Sequence, residues 1–222
     1  MTAALAYGTD AKDYLARAED RLAEGSAEAL FYSALEIRCG IESRIKQYLA
    51  AQAHISKAKK SGWKIAKLAK GIEAAFRTGD QIVEFSIMDG PKGKVLATFL
   101  YTPVTSRLQK LGQQLGNYLH VTTLPTNRDE VWWSELRAML EESIHLLRMA
   151  TTGELLGAPL LHKETNQIQM SGEFNKDDSR LHFVQGLYDS KSHVVVRVGY
   201  HKEWKLIPVS DQHTETLIGE PT

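Results

Sequence analysis

The residue types best suited to chemistry cluster in the segment LGQQLGNYLH, residues 111–120. His120 carries the side chain whose ordinary pKa lies nearest neutrality, so it can exchange a proton during phosphodiester cleavage. Asn117, just upstream, offers an amide that can hold a ribose hydroxyl or a phosphate oxygen. The competing reading is electrostatic. An imidazole at a helix C-terminus complements the helix dipole and needs no further role.

Arg38 is the next candidate. At about 100° per residue it projects from the apolar face of its helix, flanked by Phe31, Ala34, Ile41 and Ile45, with Glu42 one turn on. A guanidinium among apolar side chains needs a partner. Either an Arg38–Glu42 pair satisfies both groups and pins helix packing, or Arg38 points into a polar cavity and its planar fork receives a phosphate. The sequence leaves both open. A basic run, KAKKSGWKIAKLAK at 57–70, holds Lys57, Lys59, Lys60, Lys64, Lys67 and Lys70 around Trp63. Lys60, Lys64 and Lys67 are expected on one side of a helix, where they would offer charge to phosphates while the indole stacks on a base. A solvated helix face explains the same run.

Other signals carry less. GPKGKV at 90–95 lacks the first glycine and the Ser/Thr of a phosphate loop and reads as a hairpin turn. His162, His182, His193 and His201 show no metal-ligand spacing, so no metal or other cofactor is expected. Asp177-Asp178 is turn composition, no serine sits in GxSxG, and the lone Cys39 reads as a small core residue. Of Trp132 and Trp133, one is expected in the core and the other on its flank.

The elements that must position these residues follow from periodicity. Thr9 or Asp10 caps a helix to about Glu24, and GlySer at 25–26 breaks it. A second helix, about 27–53, repeats Leu30, Ala34, Ile37, Ile41, Ile45, Tyr48 and Leu49 at helical spacing. A third, about 63–77, carries Ile65, Leu68, Ile72 and Phe76. QIVEFSIM and KVLATFLY around DGPKG predict a β-hairpin at about 81–101. A fourth helix, about 103–119, starts at Pro103 and buries Leu108, Leu111, Leu115 and Leu119, and a fifth runs to about Ala150. Beyond TTG at 151–153 the runs ELLGAPLLH, QIQMSGEF, RLHFVQGLY, HVVVRVGY and WKLIPV read as short strands. The expected class is α+β: an N-terminal helical bundle interrupted by a hairpin over 1–152, then a small antiparallel β-rich domain or subdomain over 153–222.

Composition bounds the function classes. The hydrophobic fraction of 43% suits a globular protein, and 27 basic against 27 acidic residues leave no overall charge to advertise a nucleic-acid or membrane partner. Any electrostatic argument is therefore local. A single cysteine excludes an internal disulfide framework and fits a cytoplasmic location. The apolar runs fall short of the ~18–20 residues a membrane span needs.

The block YLARAEDRLAEGSAEALFYSALEIRCGIESRIKQYL, followed by a helix ending LGNYLH, resembles the HEPN-type helical bundles of prokaryotic defence (antiphage) and toxin–antitoxin systems. The resemblance extends over about residues 10–150, outside the hairpin. It implies a homodimer and, in active members, a metal-independent RNase in which Asn117 and His120 match the motif's Asn and His. The family carries an arginine directly before the Asn and usually three residues before the His; here Gly116 precedes Asn117, and only Tyr118 and Leu119 intervene. Arg38 is the candidate to supply the missing guanidinium. Two alternatives stand beside this: a catalytically silent protein binding nucleic acid or a nucleotide through the lysine-rich helix, and a dimeric module presenting its β-rich end to a protein partner.

Overall fold

The computed structural model describes residues 7–52, 55–60, 64–89, 92–120, 128–162, 167–174, 178–189 and 194–202. Helix α1, Ala11–Glu24, opens with a capping box in which Asp10 accepts from the amides of Lys12 and Asp13, and Asp13 reaches back to Asp10. It closes at Gly25, whose φ of 71° any side chain would resist. Ser26 then caps α2, Ala27–Ala50, on which Leu30, Ala34, Ile37, Ile41, Ile45, Tyr48 and Leu49 are all buried. The helix stops short of residue 53, and a short α3, Lys57–Lys60, precedes α4, Ile65–Phe76.

The hairpin is present as β1, Ile82–Asp89, and β2, Val95–Tyr101, pairing Val83 with Tyr101 through Ile87 with Ala97 before a bulge. Thr105 caps α5, Ser106–Tyr118, and Asp129 caps α6, Glu130–Ala150. Beyond α6, β3 (Leu160–His162) and β4 (Gln167–Gln169) form a two-stranded ladder. The expected strand RLHFVQGLY is instead a helix, α7, Ser179–Asp189. Asp178 accepts from the Arg180 amide at 3.0 Å, so a helix-start signal outweighs the strand-like alternation. HVVVRVGY supplies β5, Val194–His201, which pairs antiparallel with β1 from Ile82–His201 to Asp89–Val194. The sheet order is β2–β1–β5, so strands from either side of residue 152 share one sheet. WKLIPV lies outside the described residues.

The architecture is α+β, with α2 at its centre. Helices α1, α4, α5 and α6 pack around it, and Val83, Phe85, Ile87, Ala97, Phe99 and Tyr101 on one sheet face join the same core. The outer edge of β2 is closed by side chains and loop: Arg180 donates to Thr98 O, Glu154 accepts from the Leu100 amide, and the Leu155 amide donates to Leu100 O. On β5, Val195, Val196, Val198 and Tyr200 are exposed.

Arg44 carries its charge into the interior. Arg44, 3% exposed, donates from Nε to Ala150 O and Tyr48 Oη, both at 2.9 Å, and from Nη2 to Gly153 O at 2.7 Å. Its positive charge thus meets the carbonyls at the C-terminal end of α6, where the helix dipole favours a cation. Tyr48 donates onward to Thr102 O, tying α2, α6 and the strand end together.

Candidate functional site at the end of α5

The leucine stripe of α5 faces the core, with Leu108, Leu111 and Leu115 at 0 or 1% exposure, and this leaves Asn117 and His120 on the exposed side of the helix end. The last turn tightens as the Leu119 amide bonds to Gly116 O and the His120 amide to Asn117 O.

Arg38 reaches this helix from α2. Half-buried, it donates from Nη1 to Gly112 O at 3.0 Å, and a β-carbon placed on Gly116 would run into its guanidinium. Gly116 therefore admits the guanidinium to the α5 backbone, at the residue that precedes Asn117, while the space at Gly112 is taken by Ile41 and Ile65. Glu42 takes its ion pair from Lys46 at 2.5 Å and lines a groove between α1 and α2 with Thr9, Tyr14, Cys39 and Ser43. Burial, together with the Glu42 and Glu36 carboxylates, pushes the Cys39 thiol up, so it stays protonated near neutrality and is a poor nucleophile.

Helix directions decide what surrounds the α5 end. Arg38 meets Gly112 and Gly116, while Ile41 meets Gly112. Helices α2 and α5 therefore run antiparallel, and the α5 C-terminus approaches the first third of α2. Helix α6 runs parallel to α2, since Trp132 and Trp133 pack on Phe31 while Ala150 O receives Arg44. The end of α5 and the start of α6 thus meet over Phe31. Tyr118 stacks at 5.4 Å on Trp132, Trp132 meets Trp133 edge-on at 4.8 Å, and both indoles are half-buried rather than divided between core and flank. The Arg128 guanidinium lies 5.6–5.9 Å from the ring centres of Trp132, Phe31 and Trp133.

The basic run is divided. Lys57 and Lys60 belong to α3, and Lys60 donates to Ala50 O at the end of α2. Lys64 precedes α4, and Lys67 lies within it, exposed with Lys70; Trp63 lies outside the described residues. Lys60 lies on α3 while Lys64 is the N-cap of α4, so Lys60, Lys64 and Lys67 do not share one side of a single helix as expected.

The sequence pattern marks neither Tyr118, a spacer between Asn117 and His120, nor Arg128 as a site residue. Arg44 was legible in principle, since it falls on the stripe Ile37–Ile41–Arg44–Tyr48. His201, which the sequence marks with no ligand spacing, meets Glu84 on β1 at 3.2 Å. Burial opposes ionisation of Glu84, but Ser86, Arg197 and His201 together hold its carboxyl below the usual range. Among the described residues no group of three or more His, Cys, Asp or Glu is placed to hold a metal ion, and no helix is long and apolar enough to cross a membrane. Comparison with protein-family models, with curated proteins and with solved structures returned no match.

Proposed function

We propose that the α5 end is a phosphodiester site and that this chain is a HEPN-like, metal-independent RNase acting in the cytoplasm as a homodimer. The observation that carries the reading is the seat of Arg38. Its guanidinium lies along the α5 backbone at Gly112 and Gly116, immediately before Asn117 and about one turn before His120. A cation, an amide and an imidazole then serve one segment of surface.

In this reading Arg38 offsets the phosphate charge and Asn117 donates to a non-bridging oxygen. The neutral His120 imidazole takes the proton of the 2′-hydroxyl as the 2′-oxygen attacks phosphorus. The P–O5′ bond breaks, leaving a 2′,3′-cyclic phosphate, and the departing 5′-oxygen is protonated by solvent. Incubation with mixed RNAs in the presence of a chelator tests this. Wild type is expected to cleave, and His120→Ala to lose roughly 10²–10⁴-fold in rate. Undiminished cleavage by His120→Ala, or no cleavage by wild type, overturns the nuclease reading.

A second reading, RNA or DNA binding without cleavage, draws on the exposed Lys64, Lys67 and Lys70. It predicts strongly salt-dependent binding that weakens in Lys64→Ala/Lys67→Ala. Binding indifferent to those lysines removes it.

A further inference from the structure

The aromatic cluster beside the α5 end has no role in the phosphate chemistry. Phe31, Tyr118, Trp132 and Trp133 come from α2, α5 and α6, and each is half-buried. Ring centres lie 4.8–6.3 Å apart in tilted or edge-on pairs, so the cluster is continuous. Over it sits Arg128, within cation–π range of three of the rings. Tyr118 lies between Asn117 and His120 in sequence, so one of the rings belongs to the same helix end.

Indole faces and a guanidinium plane are the surfaces on which unpaired bases stack, and stacking tolerates any base because every base has a π-face. A base inside a duplex is already stacked on its neighbours and hides its faces from such a surface. We infer that Phe31, Tyr118, Trp132, Trp133 and Arg128 form a base-stacking platform, so that the site takes an unpaired nucleotide of single-stranded RNA. This rests on the phosphodiester reading of Arg38, Asn117 and His120, which would hold the phosphate next to the stacked base. The net neutrality of the chain fits such a partition, since stacking supplies affinity where overall charge does not.

The test uses the full chain carrying His120→Ala, to prevent cleavage, with labelled oligoadenylate as single strand and the same strand paired to oligouridylate. The single strand is expected to bind at least about tenfold more tightly than the duplex and to quench tryptophan fluorescence. Trp132→Leu is expected to weaken single-strand binding about tenfold or more, while Trp132→Phe restores most of it. Arg128→Ala, a change outside the core, is expected to weaken it severalfold with the urea midpoint little changed; it decides the matter if Trp132→Leu does not fold. Equal affinity for strand and duplex, or undiminished binding by Arg128→Ala and Trp132→Leu, overturns the platform. The two proposals fail separately. Cleavage by wild type that is indifferent to Arg128 and Trp132 removes the platform and keeps the nuclease. Trp132-dependent binding without any cleavage by wild type keeps the platform and removes the nuclease.

Discussion

Gly116→Ala isolates the contact on which the site depends. Gly116 lies inside α5 with ordinary helical geometry, so alanine there gains about 0.8–1 kcal/mol of helix propensity. Its β-carbon would meet the Arg38 guanidinium, the mobile tip of a long side chain, so the tip swings aside and little strain is stored. The loss is the bond from Nη1 to Gly112 O. A hydrogen bond from a charged donor contributes about 1.5–3 kcal/mol, and half-burial places this one at the low end. The two effects nearly offset, leaving a net destabilisation of roughly 0.5 kcal/mol in an otherwise wild-type chain. With Arg38 already changed to Met, the same substitution should stabilise by roughly 0.8 kcal/mol, since only the propensity gain remains. The coupling of about 1.3 kcal/mol exceeds the ~0.5 kcal/mol within which independent sites add. Urea unfolding of wild type, both single variants and the double variant measures it. Equal stabilisation by Gly116→Ala in both backgrounds would refute the seat of Arg38 on α5.

Other consequences follow from the interior and the sheet edge. Arg44→Met removes the Arg44 donor from buried Gly153 O, while Ala150 O keeps the Thr102 hydroxyl, and is expected to destabilise by about 2–3 kcal/mol in urea unfolding. Gly153→Ala drives a β-carbon to 2.6 Å from Leu100 O and 2.9 Å from the Thr102 nitrogen, backbone atoms that cannot swing away. A loss of about 2–3 kcal/mol is expected, larger than for Gly116→Ala although the residue change is the same. Asp178 is held below the usual carboxylate range by the side-chain bonds of Arg180, against a smaller opposing effect of burial. Its contribution is therefore complete above its unfolded pKa of about 4 and is lost as pH falls through the lower folded value. Wild type should exceed Asp178→Asn in stability at neutral pH, and the two should converge on acidification below about pH 4.

Residues whose structure depends on near neighbours were legible in the sequence. The helix break at Gly25-Ser26, the start at Asp10, the stripe of α2, the leucines of α5 and the turn between β1 and β2 are local events, because caps, periodicity and turn chemistry act over a few residues. The helix α7 was misread for a related reason: its short apolar run suits either period, and the tie is broken by Asp178 bonding to Arg180 and by Arg180 reaching Glu154 and Thr98. The joining of β5 to β1 was not legible, since strand pairing across a hundred residues leaves no local trace.

The candidate site divides in the same way. The sequence by itself determined that α5 ends in an amide and an imidazole, and that α2 carries arginines on or near its apolar face. Only the tertiary structure decided which arginine lies buried and which serves α5. Arg44 points at the carbonyls ending α6, and Arg38 lies where Gly116 opens the α5 surface and the Gly112 carbonyl accepts. The physical reason is that a guanidinium goes where its donors find acceptors. Those acceptors belong to helices 74 and 106 residues away along the chain.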